Sequence, residues 1–176
     1  LYGESVLMVR NGQGEIKAFY NVCRHRGARI CPAPGDDDSV LALKGGVVGN
    51  RSIICPYHAW TYDLDGQLVS APFLGDNPDF DMQGVQLHPV GVATWAGFIF
   101  LNLTPDEAPD FEETIKTAKR RFVRYPLADL RIAHTISYEV NANWKVLCEN
   151  YNECYHCGPV HPELCRIVPA FREAGG

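Results

Sequence analysis

The sequence predicts an α+β protein, with an all-β region over residues 1–104 and the beginning of an α+β region over residues 105–176. Two observations predict this division. Short apolar runs separated by Gly, Pro, Asn and Asp recur along the first region, which is typical of strands joined by turns. After Thr104 and Pro105, apolar residues recur at every third or fourth position, which is the period of a helix.

The strands of the first region are predicted from their turns. Residues 11–14, Asn-Gly-Gln-Gly, separate apolar runs at 4–10 and 15–22, and Asn and Gly tolerate the positive φ that a hairpin turn requires. Asp65 and Gly66 form the turn of a second predicted hairpin. Further strands are predicted at residues 39–43, 51–54, 86–94 and 97–103.

A helix, a strand and a second helix are predicted in the second region. The first helix spans residues 110–124, where acidic side chains come early and basic side chains late, as the helix dipole favours. A strand is predicted at 131–140 and a second helix at 143–156. The chain has neither an initiator Met nor a signal peptide, so we expect an internal fragment. Its first helix is then expected to leave three apolar side chains uncovered: Phe111, Ile115 and Phe122.

Composition and charge narrow the classes of partner and compartment. The 176 residues are 46% hydrophobic and 21% charged, and their net charge of −5 argues against nucleic acid or an anionic membrane as a partner. No run of eighteen apolar residues is available for a transmembrane helix. Seven cysteines without a paired framework favour a reducing compartment, so we expect a cytoplasmic protein with metal chemistry.

Two short motifs predict a metal cluster. Residues 23–25, Cys-Arg-His, and residues 55–58, Cys-Pro-Tyr-His, each place one cysteine just before one histidine. Two thiolates on one iron and two neutral imidazoles on the other are the ligands of a Rieske [2Fe–2S] cluster. Zinc is the alternative, but zinc motifs usually pair Cys with Cys and His with His. Both motifs lie between predicted strands, so we expect two metal-binding loops that supply four ligands: Cys23, His25, Cys55 and His58.

A second pair of histidines lies near the end of the sequence. His156 and His161 are separated by four residues, and Glu153 comes one helical turn before His156. Two imidazoles and a carboxylate are the ligands of non-haem Fe(II) sites. This spacing does not place both imidazoles on one face of a regular helix, so Pro159 is expected to break the helix. Ordinary histidines are one alternative, and the other is a zinc site that uses Cys154, Cys157 or Cys165.

Taken in order, these motifs resemble those of the α subunit of Rieske non-haem iron oxygenases. The resemblance rests on residues 23–27 (CRHRG), 55–62 (CPYHAWTY), 143–145 (NWK) and 153–165 (ECYHCGPVHPELC), which together span nearly the whole chain. It implies a Rieske domain that feeds electrons to a helix-grip-like catalytic domain, whose mononuclear Fe(II) is held by His156 and His161. In the family the third ligand is an Asp that comes much later in the chain, and Glu173 is not assigned to that role.

The resemblance also implies partners. Family members carry an Asp just before the first iron histidine, where it bridges to a Rieske histidine of the neighbouring subunit in a head-to-tail homotrimer, and Glu153 matches this position. A separate NAD(P)H-dependent flavin and iron–sulfur reductase is the implied electron donor.

Respiratory Rieske proteins have an extra cysteine and hydroxyl donors in the two loops that bind the cluster. This chain has Tyr57, Ala59 and Trp60 in the second loop, so we expect fewer donors to the sulfurs and a lower potential.

The residues around the second histidine pair most resemble oxygenases of quaternary ammonium compounds such as glycine betaine. The sequence therefore predicts an oxygenase that activates O2 and hydroxylates or N-demethylates a small molecule. Within the same class, the alternative is an aromatic-ring-hydroxylating dioxygenase. From a different class, the alternative is a Rieske electron carrier that binds no iron at His156 and His161.

Overall fold

A computed structural model describes residues 3–31, 46–48, 51–74, 77–153 and 155–173. The chain separates into two compact units, residues 1–130 and 131–176. The first unit extends past the predicted boundary after residue 104, because its helix packs on its last strand: the rings of Phe111 and Phe100 lie 4.9 Å apart. The assignment of the two functional domains stays a prediction.

Two four-stranded antiparallel sheets make up most of the first unit. The first sheet has the order β1-β2-β7-β8 and the second has the order β3-β4-β5-β6. The strands are β1 (Val6–Arg10), β2 (Ile16–Tyr20), β3 (Gly46–Val48), β4 (Ser52–Ile54), β5 (Thr61–Tyr62), β6 (Leu68–Ser70), β7 (Pro89–Trp95) and β8 (Phe98–Asn102).

Both predicted hairpins are confirmed. Strands β1 and β2 pair across the turn at residues 11–14, and β5 pairs with β6 around Asp65 and Gly66. Gly66 has a φ of +90°, and a Cβ at this position would lie 2.5 Å from a ring carbon of Phe19. Glycine is therefore needed here both for the backbone conformation and for the close approach of the ring. The predicted strands at 51–54, 86–94 and 97–103 correspond to β4, β7 and β8, whereas 39–43 lies outside the described residues.

The core of the first unit contains the two cysteines of the predicted cluster. Cys23 and Cys55 retain only 3% and 2% of their accessible surface. Both belong to the hydrophobic core, whose other buried side chains are Leu7, Val9, Phe19, Ile30, Ile53, Trp60, Tyr62, Leu64, Leu68, Ala71 and Leu87. The cluster-binding loops are thus anchored in the most closely packed part of the fold, where side-chain positions are well defined.

Helix α1, Phe111–Phe122, begins where the charge pattern predicts. The Asp110 carboxylate caps it by accepting a hydrogen bond from the Glu113 N–H at 2.9 Å. The expectation that Phe111, Ile115 and Phe122 are uncovered is wrong for Ile115, which is buried, and Phe111 is partly buried. Only Phe122 leaves a large part of its ring exposed.

The second unit is helical in the part that the structure describes. Its helices are α2 (Trp144–Asn152), α3 (Cys157–Val160), α4 (Pro162–Ile167) and α5 (Ala170–Glu173). The predicted strand at 131–140 is wrong: this segment pairs with no strand among the described residues, and a strand forms only where a partner satisfies its backbone groups. The second predicted helix ends at Asn152, four residues before His156. Across the described ranges, every helix is too short or too polar to traverse a bilayer.

Candidate metal centres

The two cluster motifs lie on loops that close in the same way. In the first loop the Gly27 N–H donates to the Cys23 carbonyl at 3.0 Å, and in the second the Ala59 N–H donates to the Cys55 carbonyl at 3.0 Å. The N–H of each cysteine donates to the carbonyl five residues further on: Cys23 to Ala28 at 2.8 Å, and Cys55 to Trp60 at 2.9 Å. Gly27 and Ala59 both have a positive φ, of 68° and 56°. Each loop therefore folds back over its cysteine and holds its histidine within the bend.

The loops bring the four predicted cluster ligands together. The imidazole rings of His25 and His58 have centroids 4.7 Å apart and planes inclined by 69°. Trp60 stacks on the other side of His25, with centroids 4.6 Å apart and planes inclined by only 9°. The Cys23 and Cys55 thiols are both buried in the core of this unit and lie close enough to shift each other's pKa. The arrangement is one thiol pair and one imidazole pair on two adjacent loops.

This donor set fits a [2Fe–2S] cluster. The Nδ1 atom of His25 is buried and has no hydrogen-bond partner among the residues that the structure describes. A buried ring nitrogen without a partner is costly, and a bond to iron would satisfy it. In the same part of the chain, no group of three or more His, Cys, Asp or Glu side chains converges on one point. A binuclear cluster does not need such a group, because each iron takes only two protein ligands.

The two thiols shift each other's pKa in opposite directions. The hydrogen bond from the Cys55 thiol, helped by one from Tyr62, lowers the pKa of Cys23 to about 5. The same hydrogen bond and then burial raise the pKa of Cys55. Both thiols must lose their protons when the two sulfurs bind metal.

Tyr62 is the last residue of the motif at residues 55–62, but the sequence analysis gave it no role at the cluster. Its side chain is fully buried, and its hydroxyl lies 3.2 Å from the Cys23 Sγ and accepts a hydrogen bond from the Arg24 N–H at 3.1 Å. Burial, followed by the contact with Cys23, raises the pKa of the Tyr62 phenol, and a protonated phenol can donate a hydrogen bond to this sulfur once the sulfur binds metal as a thiolate. The expectation of fewer sulfur donors thus omits this one.

The second histidine pair is also brought together. The rings of His156 and His161 have centroids 5.4 Å apart and planes inclined by 73°. Metal–nitrogen bonds of about 2.1 Å from each ring span this separation. The break that allows it lies at His161 and not, as predicted, at Pro159, which belongs to helix α3. His161 precedes Pro162, the first residue of α4, and a residue before proline is disfavoured in the helical conformation.

Glu153 reaches His156 by a different path from the predicted one. Helix α2 ends at Asn152, and Glu153 is its extended C-terminal cap, so no continuous helix joins Glu153 to His156. The carboxylate instead spans the turn: one oxygen accepts the Tyr155 N–H, and Oε2 lies 3.3 Å from the His156 Nδ1. Because Nδ1 is engaged, the other ring nitrogen of His156 is the one left for a metal.

The zinc alternative at this site could use any of three cysteines, Cys154, Cys157 or Cys165, and the structure describes two of them. Cys157 and Cys165 are buried, and the Cys165 Sγ contacts the Cys157 carbonyl oxygen at 3.3 Å. Cys154 lies outside the described residues. The Cys165 thiol is thus occupied by the backbone of the turn between the two histidines.

Two family models match the chain. A Rieske [2Fe–2S] domain matches residues 1–89, and the catalytic domain of the ring-hydroxylating α subunit matches residues 127–175. The glycine betaine monooxygenase oxygenase subunit of Pseudomonas aeruginosa is 38% identical over 165 residues, which cover 93% of this chain and 35% of that protein.

Solved structures agree with these matches. The quaternary ammonium Rieske monooxygenase CntA in complex with L-carnitine superposes with a TM-score of 0.74 at 35% identity, covering 94% of this chain and 44% of that one. Naphthalene 1,2-dioxygenase from a Rhodococcus species superposes with a TM-score of 0.71 at 27% identity, covering 93% and 36%.

The chain therefore spans less than half the length of each of these proteins. The Rieske model alone matches half of the chain, and its matched region contains both cluster loops and the four residues predicted to bind the cluster. The catalytic-domain model matches the segment that contains His156 and His161. The cofactors of this family are the [2Fe–2S] cluster and a mononuclear iron. By its two domains, this chain belongs to the α subunits of the Rieske non-haem iron oxygenases.

Proposed function

We propose that the protein is the oxygenase component of a monooxygenase that acts on a small quaternary ammonium compound such as a betaine. The observation that carries the substrate class is the identity of 38% with a glycine betaine monooxygenase oxygenase subunit. The pairing of the His25 and His58 rings and the burial of the Cys23 and Cys55 thiols support the cluster. When bound, the cluster transfers single electrons and the mononuclear iron activates O2. The remaining steps are assigned to side chains of this chain.

The first loops hold and tune the cluster. Cys23 and Cys55 bind one iron and His25 and His58 bind the other, with Trp60 stacked on His25 to fix the plane of its ring. Tyr62 donates its hydroxyl proton toward the Cys23 sulfur. Such a hydrogen bond withdraws negative charge from the sulfur and stabilises the reduced cluster.

The second histidine pair holds the mononuclear iron. Glu153 accepts a hydrogen bond from the His156 Nδ1–H, which fixes the tautomer and the orientation of this ligand. Its second oxygen holds the Tyr155 N–H, so the carboxylate is oriented by the backbone as well. We assign Glu153 as the bridge that also accepts a hydrogen bond from a cluster histidine of a neighbouring subunit in a homotrimer.

An apolar groove beside the cluster supports this assembly. The groove has a volume of about 900 Å³ and is lined by His25, His58, Tyr57, Phe73 and Leu74, among others. Phe73 is fully exposed and has a φ of +68°, a conformation that costs a bulky residue free energy. An exposed apolar surface of this kind marks a protein interface. Its occupant in our proposal is the neighbouring subunit that brings Glu153 to the cluster.

The overall reaction follows from the proposed substrate. One atom of O2 is inserted into a C–H bond of an N-methyl group, and the other leaves as water. Two electrons come from NAD(P)H through a separate flavin and iron–sulfur reductase. The hydroxymethylammonium product then releases formaldehyde, a proton and the demethylated amine. The seven cysteines of the sequence have no paired framework, which supports a reducing, cytoplasmic location.

The substrate class is tested in the full-length protein with its reductase. We expect NAD(P)H-dependent formaldehyde release from glycine betaine or carnitine, and no dihydrodiol from naphthalene. Turnover of naphthalene without formaldehyde would instead support the aromatic dioxygenase. A protein that holds the cluster but no mononuclear iron, and that turns over neither substrate, would support the electron carrier.

The cluster assignment is tested with His25→Cys. A thiolate in place of a neutral imidazole adds negative charge, so we expect the Rieske electron paramagnetic resonance signal to change toward that of an all-cysteine cluster, or the cluster to be lost. His134→Cys is the matched control, because His134 is exposed and lies in the other unit. Stoichiometric zinc without acid-labile sulfide in the iron-replete wild type would contradict the assignment.

A further inference from the structure

The second unit contains two buried cysteines that the proposed function leaves unused. Among its described residues, Cys157 and Cys165 are the only side chains classed as buried, with 6% and 8% of their surface exposed. Cys157 directly follows His156 and so lies between the two histidines, and Cys165 comes four residues after His161. The two buried side chains of this unit are therefore close in sequence to both proposed iron ligands.

The carbonyl of Cys157, the residue after His156, accepts a hydrogen bond from His161 and one from Cys165. The Cys157 carbonyl accepts the His161 N–H at 3.0 Å and also the Cys165 thiol at 3.3 Å. A carbonyl oxygen has two lone pairs, so it can accept both hydrogen bonds. The first bond holds the backbone of His161 against the residue that follows His156. The second holds helix α4, which begins just after His161, against helix α3.

A further bond closes the turn. The Cys165 N–H donates to the His161 carbonyl at 3.1 Å, as the first backbone hydrogen bond of helix α4, so Cys165 bonds to His161 and, through its thiol, to Cys157. The chain must leave the helical conformation at His161, where Pro162 follows. Nothing in a regular helix then fixes the angle between α3 and α4. The buried thiol of Cys165 is positioned to fix it.

We propose that Cys165 is a positioning residue for the mononuclear iron site, acting through its hydrogen bond to the Cys157 carbonyl. This inference rests on the proposed function, because it requires His156 and His161 to be iron ligands. A buried cysteine is a small apolar side chain with a weak donor, so it fills the space beneath the turn and satisfies the carbonyl. Its role is to hold the two rings at the separation that one ion requires.

The test measures metal binding in the full-length protein. Fe(II) affinity is determined by competition with a chelator, and Co(II), bound in place of iron, reports the ligand geometry by its visible absorption. We expect Cys165→Ala to lower Fe(II) affinity about tenfold and to change the Co(II) spectrum, as for other residues that orient metal ligands. Cys165→Ser retains a donor and should stay within about threefold of the wild type. Cluster content, read from absorbance, should be unchanged in both.

Cys148 provides the matched control. It is an exposed cysteine of helix α2, so Cys148→Ala and Cys148→Ser should leave Fe(II) affinity unchanged. The inference is overturned if Cys165→Ala binds Fe(II) like the wild type, or if Cys165→Ser folds and loses as much affinity as Cys165→Ala does. If Cys165→Ala does not fold, Cys165→Ser decides alone: an Fe(II) affinity within about threefold of the wild type supports the inference, and a loss of about tenfold in the folded variant overturns it. A wild type that binds no Fe(II) at the histidine pair would overturn the proposed function itself, which separates the two failures.

Discussion

At the scale of single residues, the Tyr62 hydroxyl contacts both the sulfur and the backbone of the first cluster loop. It lies 3.2 Å from the Cys23 Sγ and accepts the Arg24 N–H. Tyr62→Phe removes the hydrogen bond to a sulfur that is more negative in the reduced cluster. We expect the reduction potential to fall by about 50 mV, the equivalent of about 1 kcal/mol for one electron. A redox titration followed by electron paramagnetic resonance measures the change.

Tyr20→Phe is the control for Tyr62→Phe. The Tyr20 hydroxyl donates to the Leu103 carbonyl at 2.8 Å, so its loss removes a comparable hydrogen bond that does not involve the cluster. The potential of this variant should equal that of the wild type. An unchanged or raised potential in Tyr62→Phe would mean that the hydroxyl is not a donor to the Cys23 sulfur.

The ligand residues and Tyr62 differ in what the sequence could reveal about them. Cys23 and His25 lie within one short motif, as do Cys55 and His58, so their spacing carries the signal. Tyr62 is 39 positions from Cys23, and the two residues meet only because strand β5 brings Tyr62 beneath the first loop. A contact between distant segments has no local pattern, so the motif at residues 55–62 contained Tyr62 but could not indicate its contact with the Cys23 sulfur.

At the scale of loops and helices, the second cluster loop contains a strained alanine. Ala59 has a φ of 56° at the position where the first loop has Gly27. The left-handed conformation costs a residue with a Cβ about 1–2 kcal/mol, which exceeds the entropy that a glycine adds to the unfolded chain. We expect Ala59→Gly to raise the thermal midpoint of cluster loss by about 2–4 °C, measured by the absorbance of the cluster.

Ala108→Gly is the control for Ala59→Gly. Ala108 is exposed and has a φ of −66°, so glycine relieves no strain there and should leave the midpoint unchanged or slightly lower. A lower midpoint in Ala59→Gly would show that the methyl group of Ala59 contributes more by its contacts than it costs in strain.

The turn between helices α2 and α3 contains the proposed electron bridge. Glu153→Gln removes the negative charge but keeps the length and shape of the side chain. We expect both metals to remain bound and the cluster to be oxidised at least tenfold more slowly in a single turnover, because a neutral amide binds the two imidazole N–H groups less strongly. Rapid-mixing absorbance spectroscopy of the reduced full-length protein measures this rate.

Glu149→Gln is the control for Glu153→Gln. Glu149 is an exposed acid of helix α2, one turn before Glu153. Its neutralisation changes the charge of α2 without touching His156. Its single-turnover rate should match that of the wild type. Equal rates in both variants would remove Glu153 from the bridge and leave it as the orienting partner of His156 alone.

The helix boundaries near this turn show why sequence periodicity was insufficient. The apolar spacing continues through Tyr155, but the Glu153 carboxylate draws the Tyr155 N–H away from helical bonding. Side chains that bind nearby backbone groups compete with helix formation in this way. Likewise, the predicted break at Pro159 ignored that proline is tolerated in the first turn of a helix, so the restriction imposed by Pro162 on His161 decided the break.

At the scale of the molecule, the two units differ in how much of their apolar surface is covered. The first unit has a large buried core around the cluster cysteines. In the second, many large side chains are exposed among the described residues, including Ile132, Tyr138, Trp144, Tyr151 and Ile167. Apolar surface of this extent is expected to be covered in the functional assembly. The fold of the first unit could be predicted more completely from the sequence, because it depends on contacts among the residues of that unit.

The last prediction concerns residues 1–176 expressed alone. We expect this chain to bind the [2Fe–2S] cluster, because all four proposed ligands lie within the compact first unit. We expect no oxygenase activity, because the described residues bring only two imidazoles together at the second site and an anionic third ligand offsets much of the charge of Fe(II).

Acid-labile sulfide and the Rieske resonance signal measure the first expectation for residues 1–176. Formaldehyde released from glycine betaine in the presence of the reductase measures the second, with the full-length protein as the positive control. Reductase-dependent formaldehyde from residues 1–176 alone would contradict the expectation. A third ligand would then have to lie within this chain, and Glu173 is the first residue to substitute, since it follows His161 in the same unit.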